Sequence, residues 1–112
     1  MIESILISYL SDALDVPVYA ERPEDSLDTC IVIQRTGGDG DSRIYSAVVA
    51  IQSYGATLYD AASLNGKVKA AMESIDELDS VSSCKLNSDY DFTNYTGDKR
   101  YRYQAVYQIT YY

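Results

Sequence analysis

The chain has 112 residues, about the length of one ordinary domain, and its 46% hydrophobic and 23% charged residues exclude a disordered or fibrous protein. The chain contains no run of about 18 apolar residues, so no membrane-spanning helix is predicted, and the N-terminus lacks the features of a signal peptide. We therefore expect one soluble domain, residues 1–112, made in a reducing cytoplasm. Nine basic and seventeen acidic residues give a formal net charge of −8, which disfavours binding to a nucleic-acid backbone.

The first predicted element is an amphipathic helix over residues 2–14. Apolar residues recur there at three- and four-residue spacing and form one stripe: Ile2, Ile5, Leu6, Tyr9, Leu10 and Ala13. The helix is expected to end before Pro17, because proline disfavours helical geometry in the residue ahead of it. Residues 16–21 then predict a short edge strand, since Pro17 cannot donate a hydrogen bond to a neighbouring strand.

Residues 29–36 and 43–54 predict the two long strands of a hairpin. The cluster between them predicts a flexible turn at the hairpin tip; it contains Gly37, Gly38, Asp39, Gly40, Asp41 and Ser42. Twelve extended residues span roughly 40 Å, more than the ~34 Å diameter of a compact domain of this size. The hairpin therefore either projects beyond the core or is shortened by twist, and the sequence leaves both open.

A second helix is predicted over residues 58–75, with Thr57 as its N-cap. Its buried stripe is expected to contain Leu58, Ala61, Ala62, Val68, Met72 and Ile75. Gly66 interrupts this helix, and close packing on a sheet would explain a glycine there.

The last part of the chain predicts two strands, residues 81–87 and 100–112, joined by an acidic and aromatic turn over 89–98. Tyr101, Tyr103, Tyr107 and Tyr111 share one face of the last strand and are expected mostly in the core. Tyr54, Tyr90, Tyr95 and Tyr112 are expected to be exposed. The order helix, three strands, helix, two strands predicts an α+β fold, with two helices packed on one face of a mainly antiparallel sheet.

Residue types that common catalysis requires are missing. Histidine is absent, which removes the commonest general base and excludes Ser-His and Cys-His nucleophile pairs. Cys30 and Cys84 fall in predicted strands and are interpreted as inert thiols. The pairs Asp39/Asp41 and Asp89/Asp91 lack the remaining ligands of a calcium loop. We therefore predict no catalytic site, no metal site and no cofactor.

Charge and tyrosine content instead predict contacts between proteins. Residues 1–30 carry seven acidic residues against Arg22 alone, whereas Lys99, Arg100 and Arg102 form a basic cluster. Two opposite patches suit head-to-tail contact between copies, although random clustering on a solvated surface explains them as well. Tyrosine, which occurs 12 times, is favoured at interfaces.

Two segments carry a family resemblance. Residues 47–72 (AVVAIQSYGATLYDAASLNGKVKAAM) and 85–112 (KLNSDYDFTNYTGDKRYRYQAVYQITYY) resemble the tail terminator, or tail-completion, proteins of long-tailed phages and prophages. The similarity covers essentially the whole chain. It implies a small sheet with helices packed on it, and a structural virion protein that forms a six-membered ring on the head-proximal end of the tail tube. Such a ring stops tube polymerisation and presents a surface to head-completion proteins.

The resemblance also implies partners and a place in the cell. The partners are further copies of the chain, the major tail tube protein and a head-completion protein, with no sequence-specific nucleic acid and no membrane. The protein would be assembled in the bacterial host cytoplasm and carried in the virion tail. Candidate interface residues are Gly37, Gly38, Asp39, Gly40, Asp41, Ser42, Asp89, Tyr90, Asp91, Arg100, Arg102 and Tyr112.

Two hypotheses concern the charges of such a ring. Some of Asp39, Asp41, Asp89 and Asp91 are expected to face an acidic lumen through which DNA passes without sticking. Arg100 and Arg102 are expected to pair with an acidic neighbour. Two alternative functions stay open: a head-to-tail joining protein, and an acidic protein-binding module or inhibitor.

Overall fold

The fold consists, within the described residues, of two helices and one five-stranded sheet. The structure, a computed structural model, describes residues 2–21, 29–41, 44–93 and 100–112, and only the backbone of Asp39, Gly40 and Asp41. In chain order the elements are α1 (Ile2–Leu14), β1 (Val18–Tyr19), β2 (Cys30–Asp41), β3 (Ile44–Gly55), α2 (Leu58–Met72), a 3-10 turn (Ile75–Glu77), β4 (Val81–Asp91) and β5 (Tyr101–Tyr111). The predicted α+β class and element order are confirmed.

The strands lie side by side in the order β1-β2-β3-β5-β4. Strand β1 runs parallel to β2 and pairs with Ile31 and Val32 alone, whereas all other neighbours are antiparallel. Residues that lie directly opposite one another across the strands form a row. One row, for example, contains Ile33, Ile51, Ala105 and Asp89.

Both helices pack on one face of this sheet, where the main core lies. Alternate residues of the strands point to that face and pack against the apolar stripes of α1 and α2. The fully buried side chains include Ile2, Leu6, Leu10, Ile31, Ile51, Val68, Ile75 and Ile109. Thr57 caps α2 as predicted, because its Oγ1 accepts a hydrogen bond of 3.1 Å from the backbone N–H of Asp60.

A second, smaller cluster lies on the opposite face. Cys30, Val32 and Tyr54 are buried there, and Tyr19 packs against them. The expectation that Tyr54 is exposed is therefore wrong: it is 5% exposed. Successive residues of a strand point to opposite faces, so Tyr54, which follows the buried Ser53 on the helix side, points away from the helices. Cys30 of the neighbouring strand lies directly opposite Tyr54.

Two predicted turns are strands instead. Residues 37–41 pair with β3 after one extra residue, Thr36, at which the register shifts, and residues 42–43 lie outside the described residues. Asp89, Tyr90 and Asp91 continue β4 opposite Ala105, Gln104 and Tyr103. Glycine and aspartate disfavour strands intrinsically, but pairing with a long neighbouring strand outweighs that preference.

The predicted hairpin stays within the sheet along its length. Strand β5 flanks β3 from Gly55 to Tyr45, so β3 has a partner on both sides, while the molecule measures 44 Å along its longest axis. Two further predictions need correction. Gly66 is exposed with open space where a Cβ would lie, so close packing does not explain it. Tyr101 and Tyr103 are half-buried, whereas Tyr107 and Tyr111 lie in the core as expected.

Candidate interaction surfaces

The predicted interface residues separate into two groups at opposite ends of the sheet. Asp91 lies opposite Tyr103 near the start of β5, so Asp89, Tyr90, Asp91, Arg100 and Arg102 belong to one end, here called the β4–β5 end. Tyr111 lies opposite Tyr45, next to Ile44, whose partner is Asp41. Residues 37–41 and Tyr112 therefore belong to the other end, here called the hairpin end. Ser42 lies outside the described residues.

The two aspartate pairs do not converge. Asp39 shares a row with Thr110, and Asp89 shares a row with Ala105, so their rows are five residues apart along β5. Their strands, β2 and β4, are three positions apart in the sheet. At ~3.3 Å per residue and ~4.8 Å per strand, their backbones are about 22 Å apart. Among the described residues, no three carboxylate or thiol side chains are grouped so that they could hold one metal ion.

Asp89 is held inside its own domain. Its Oδ1 accepts a hydrogen bond of 2.6 Å from Asn65 Nδ2, and its Oδ2 lies 2.5 Å from Lys69 Nζ. Both partners come from α2, so this contact ties the outermost strand β4 to the helix. Asp91 has a local role, because its Oδ1 accepts a hydrogen bond of 2.9 Å from the backbone N–H of Thr93. A structural role accounts for both carboxylates.

Tyr90 and Arg102 belong to a chain of hydrogen bonds on the face without helices. Gln104 Nε2 donates to the Tyr90 hydroxyl, and Gln104 Oε1 accepts from Gln52 Nε2 at 2.9 Å. The Tyr54 hydroxyl donates to Gln52 Oε1 at 3.2 Å and accepts from the Arg102 guanidinium at 3.0 Å. We call these five residues the polar chain; it crosses the three neighbouring strands β4, β5 and β3.

The polar chain ends on an aromatic side chain. Arg102 donates through Nε to the carbonyl oxygen of Phe92 at 2.8 Å, and its guanidinium lies 4.9 Å from the centre of the Phe92 ring. Phe92 also contacts Tyr90 edge to face, with ring centres 5.8 Å apart. Contacts within the same protein molecule thus position Arg102. Arg100 is half-buried and lies directly before β5.

Sequence reasoning missed Gln52 and Phe92 as members of this surface, and it placed Tyr54 among the exposed tyrosines although Tyr54 is buried. Gln52 and Gln104 are each 8% exposed, a degree of burial that glutamine side chains adopt when their amides are paired. The available signal was the polar face of β5, which carries Arg102 and Gln104. Which residues of other strands lie opposite them depends on the register, and the sequence does not specify it.

The hairpin end exposes apolar side chains. Ile44 is 53% exposed and Tyr112 is 60% exposed, and Tyr45, also exposed, stacks on the buried Tyr111 with ring centres 5.5 Å apart. The Arg35 guanidinium lies close over Gly38 and would have to move aside for a larger residue there. Exposed aromatic and aliphatic residues therefore occur at both ends of the sheet, because Tyr90 and Phe92 are also exposed at the β4–β5 end.

Cys84 shows no sign of activation. Burial and, to a smaller extent, the carboxylate of Asp76 together raise the pKa of the Cys84 thiol from 9.0 to about 11. Cys84 lines a groove between α2 and β4 with Lys69, Glu73, Leu86 and Tyr107. Burial also raises the pKa of the Tyr107 hydroxyl above its ordinary value. A reactive thiol needs a lowered pKa, so this groove lacks the properties of a nucleophilic site.

A search with protein-family models and a search of curated proteins give no match to this chain. In the part of the chain that the structure describes, no helix combines the length and apolar character needed to cross a membrane. The fold and the two exposed ends of the sheet are therefore the basis for proposing a function.

Proposed function

We propose that this protein is a structural component of a phage tail, similar to a tail terminator, which works by fitting against copies of itself and against two other virion proteins. In this role six copies form a ring on the head-proximal end of the tail tube. The ring stops tube polymerisation and offers its outer end to a head-completion protein. No bond is made or broken in the process, and assembly takes place in the bacterial cytoplasm.

The observation that carries this proposal is the exposure of apolar residues at both ends of a 44 Å long molecule. A ring between a tube and a head needs one contact surface at each end. Ile44 and Tyr112 are exposed at the hairpin end, and Tyr90 and Phe92 at the β4–β5 end. Aromatic residues are enriched at the centres of protein interfaces, where their large area is buried.

The acidic character of the chain supports the same proposal. A net charge of −8 repels DNA, which would pass through the lumen of such a ring. Asp89 is a poor candidate for a lumen residue, because Lys69 and Asn65 already bind its carboxylate. Asp39 and Asp41, on the hairpin, are the better candidates.

Electron microscopy of tails with altered ends of the sheet tests this function. We expect phage particles that lack the gene to have tails of uncontrolled length without heads. Tyr90→Ala with Phe92→Ala alters one end, and Ile44→Ser with Tyr112→Ala alters the other. Because the two ends contact different partners, we expect one pair to lose binding to the major tail tube protein and the other to lose binding to the head-completion protein, in pull-down assays.

Lys67→Ala is the control, because Lys67 is exposed near the middle of α2, between the two ends of the sheet. This variant should bind both partners as the unaltered chain does. Tails of normal length with attached heads in the absence of the gene would contradict the proposed function. Loss of head attachment alone, with normal tail length, would instead identify a head-to-tail joining protein.

A further inference from the structure

Both outer sides of the sheet have a long stretch that no described strand covers. Strand β1 pairs only with Ile31 and Val32, so the part of β2 from Gln34 to Asp41 has an open outer edge among the described residues. Strand β4 pairs with β5 on one side, and no strand of the described part of the chain pairs with its other side from Val81 to Asp91. The backbone N–H and C=O groups along such edges can pair with a strand of another chain.

The two open edges lie at the same height in the sheet. Gln34 shares a row with Ala50 and Val106, and Ser88 lies at the other end of that row. The row that begins at Gly40 continues through Tyr45 and Tyr111 to Val81. The open stretch of β2 therefore spans the same rows as residues 81–88 of β4, on the opposite side of the molecule.

The directions of the two edges also match. Three antiparallel steps separate β2 from β4, so the two strands run in opposite directions. A rotation about an axis along the strands preserves direction, and it brings β2 of one copy antiparallel to β4 of the next. Since the edges lie at the same height, no shift along the axis is needed, and a rotation without a shift closes into a ring instead of a filament.

The side chains on the two edges are compatible. Arg35 and Leu86 occupy one row and point to the face that carries the helices, as Val49 and Tyr107 between them do. Antiparallel pairing would place Arg35 of one copy beside Leu86 of the next. Leu86 lines a groove together with Glu73 and Lys69. Lys69 is already paired with Asp89, so Glu73 is the groove residue that a positive Arg35 would meet with opposite charge.

Each edge also carries an irregularity that could discourage pairing. Strand β2 has an extra residue at Thr36, and β4 has extra residues at Ser82 and Asn87. The row of Arg35 and Leu86 borders Thr36 and Asn87, whereas Ser82 lies near the start of β4. Both edges are therefore bent at nearly the same height, so a strand that follows one of them can follow the other.

We propose that the open stretch of β2 in one copy pairs antiparallel with β4 of the next copy, so that the sheets of all copies form one continuous sheet around a ring. Each edge thus binds a second copy of this chain. The inference rests on the proposed ring and adds the surface by which the ring is held together.

Disulfide cross-linking between copies tests the proposed register. Gln34→Cys combined with Ser88→Cys, in a Cys84→Ser background, places two exposed cysteines in one row of the continuous sheet. On mild oxidation of the concentrated protein, we expect a ladder of dimers, trimers and larger species. The matched control combines Gln34→Cys with Ser83→Cys, which lies four rows away, about 13 Å. That distance exceeds the reach of a disulfide, and we expect at least tenfold less cross-linking.

The outcomes separate this inference from the proposed function. Equal cross-linking of both pairs, or none at millimolar concentration and in isolated tails, overturns the edge pairing. If tails without the gene still lose length control in that case, the proposed function stands with a different interface. If tails without the gene are normal as well, both proposals fail. Circular dichroism of each variant shows that the fold is retained.

Discussion

At the scale of single residues, the same residue type serves different purposes at different positions. Gly55 ends β3 directly before α2, and a Cβ there would lie 2.5 Å from the backbone nitrogen of Ala61. Gly66 lies in the middle of α2 and faces open space. Close packing thus requires a glycine at Gly55, whereas it does not at Gly66.

The two glycines should therefore respond to alanine with opposite signs. We expect Gly55→Ala to lower the free energy of unfolding by about 1–3 kcal/mol, because the backbone of α2 must move away. Gly66→Ala should raise it by about 0.5–1 kcal/mol, because alanine favours the helix. Urea denaturation of both variants measures the difference, and a change of the same sign in both would contradict the packing described.

Cys84 provides a prediction that depends on pH. Its pKa rises from 9.0 to about 11 in the folded chain, so at pH 8 the reactive thiolate should be about a hundredfold rarer than in the unfolded chain. The neutral thiol stabilises the fold below pH 9, and this contribution is lost as the pH rises through 11. We expect alkylation of Cys84 by iodoacetamide, followed by mass spectrometry, to be slow at pH 8 and to accelerate towards pH 11.

Denatured protein at pH 8 is the control for this measurement, since both cysteines are then accessible. Cys84→Ser identifies the signal that comes from the second thiol, Cys30, which is buried. Equal alkylation rates for Cys84 in the folded and the unfolded chain at pH 8 would show that its surroundings do not suppress the thiolate.

At the scale of elements, the polar chain links β3, β5 and β4 on the face that no helix covers. Its central members, Gln52 and Gln104, lie directly opposite each other and are both buried. Gln52 Nε2 and Gln104 Oε1 are each other's hydrogen-bond partners, whereas Tyr54 and Tyr90 bind the remaining amide atoms. Removal of one glutamine therefore leaves a buried polar atom of the other without its hydrogen bond.

A double-mutant cycle tests this dependence. We expect Gln52→Leu and Gln104→Leu each to lower the free energy of unfolding by about 1–3 kcal/mol. The double variant should lose less than the sum of the two, by about 1 kcal/mol, because both unpaired amides are then gone. Urea denaturation of the four proteins provides the values. Strict additivity would mean that the two glutamines act independently.

The elements also show what can be predicted from sequence and what cannot. The stripe in α1 and the cap of α2 depend on near neighbours in the chain, and both were predicted for that reason. The continuation of β2 through residues 37–41 and of β4 through Asp89 depends on a partner strand that lies far away in sequence. Local preference favours turns there, and pairing with β3 and β5 overrides it.

At the scale of the whole molecule, the sequence predicts which residues belong to the candidate surfaces but not where those surfaces lie. The sequence marks Tyr90, Arg102 and Tyr112 as unusual, but it does not show that the first two share a hydrogen-bonded chain while the third lies at the far end of the sheet. That separation follows from the register of four strands. A one-residue slip in any of them would move these side chains to the other face.

Strand β4 is bonded along one side only, whereas β3 and β5 have neighbours on both. A strand held by one ladder separates at a lower cost than one held by two. A second copy that pairs with the outer side of β4 therefore also stabilises the fold. By mass action, the melting temperature of the protein should then rise with protein concentration. Durability and assembly would in this way be properties of the same strand.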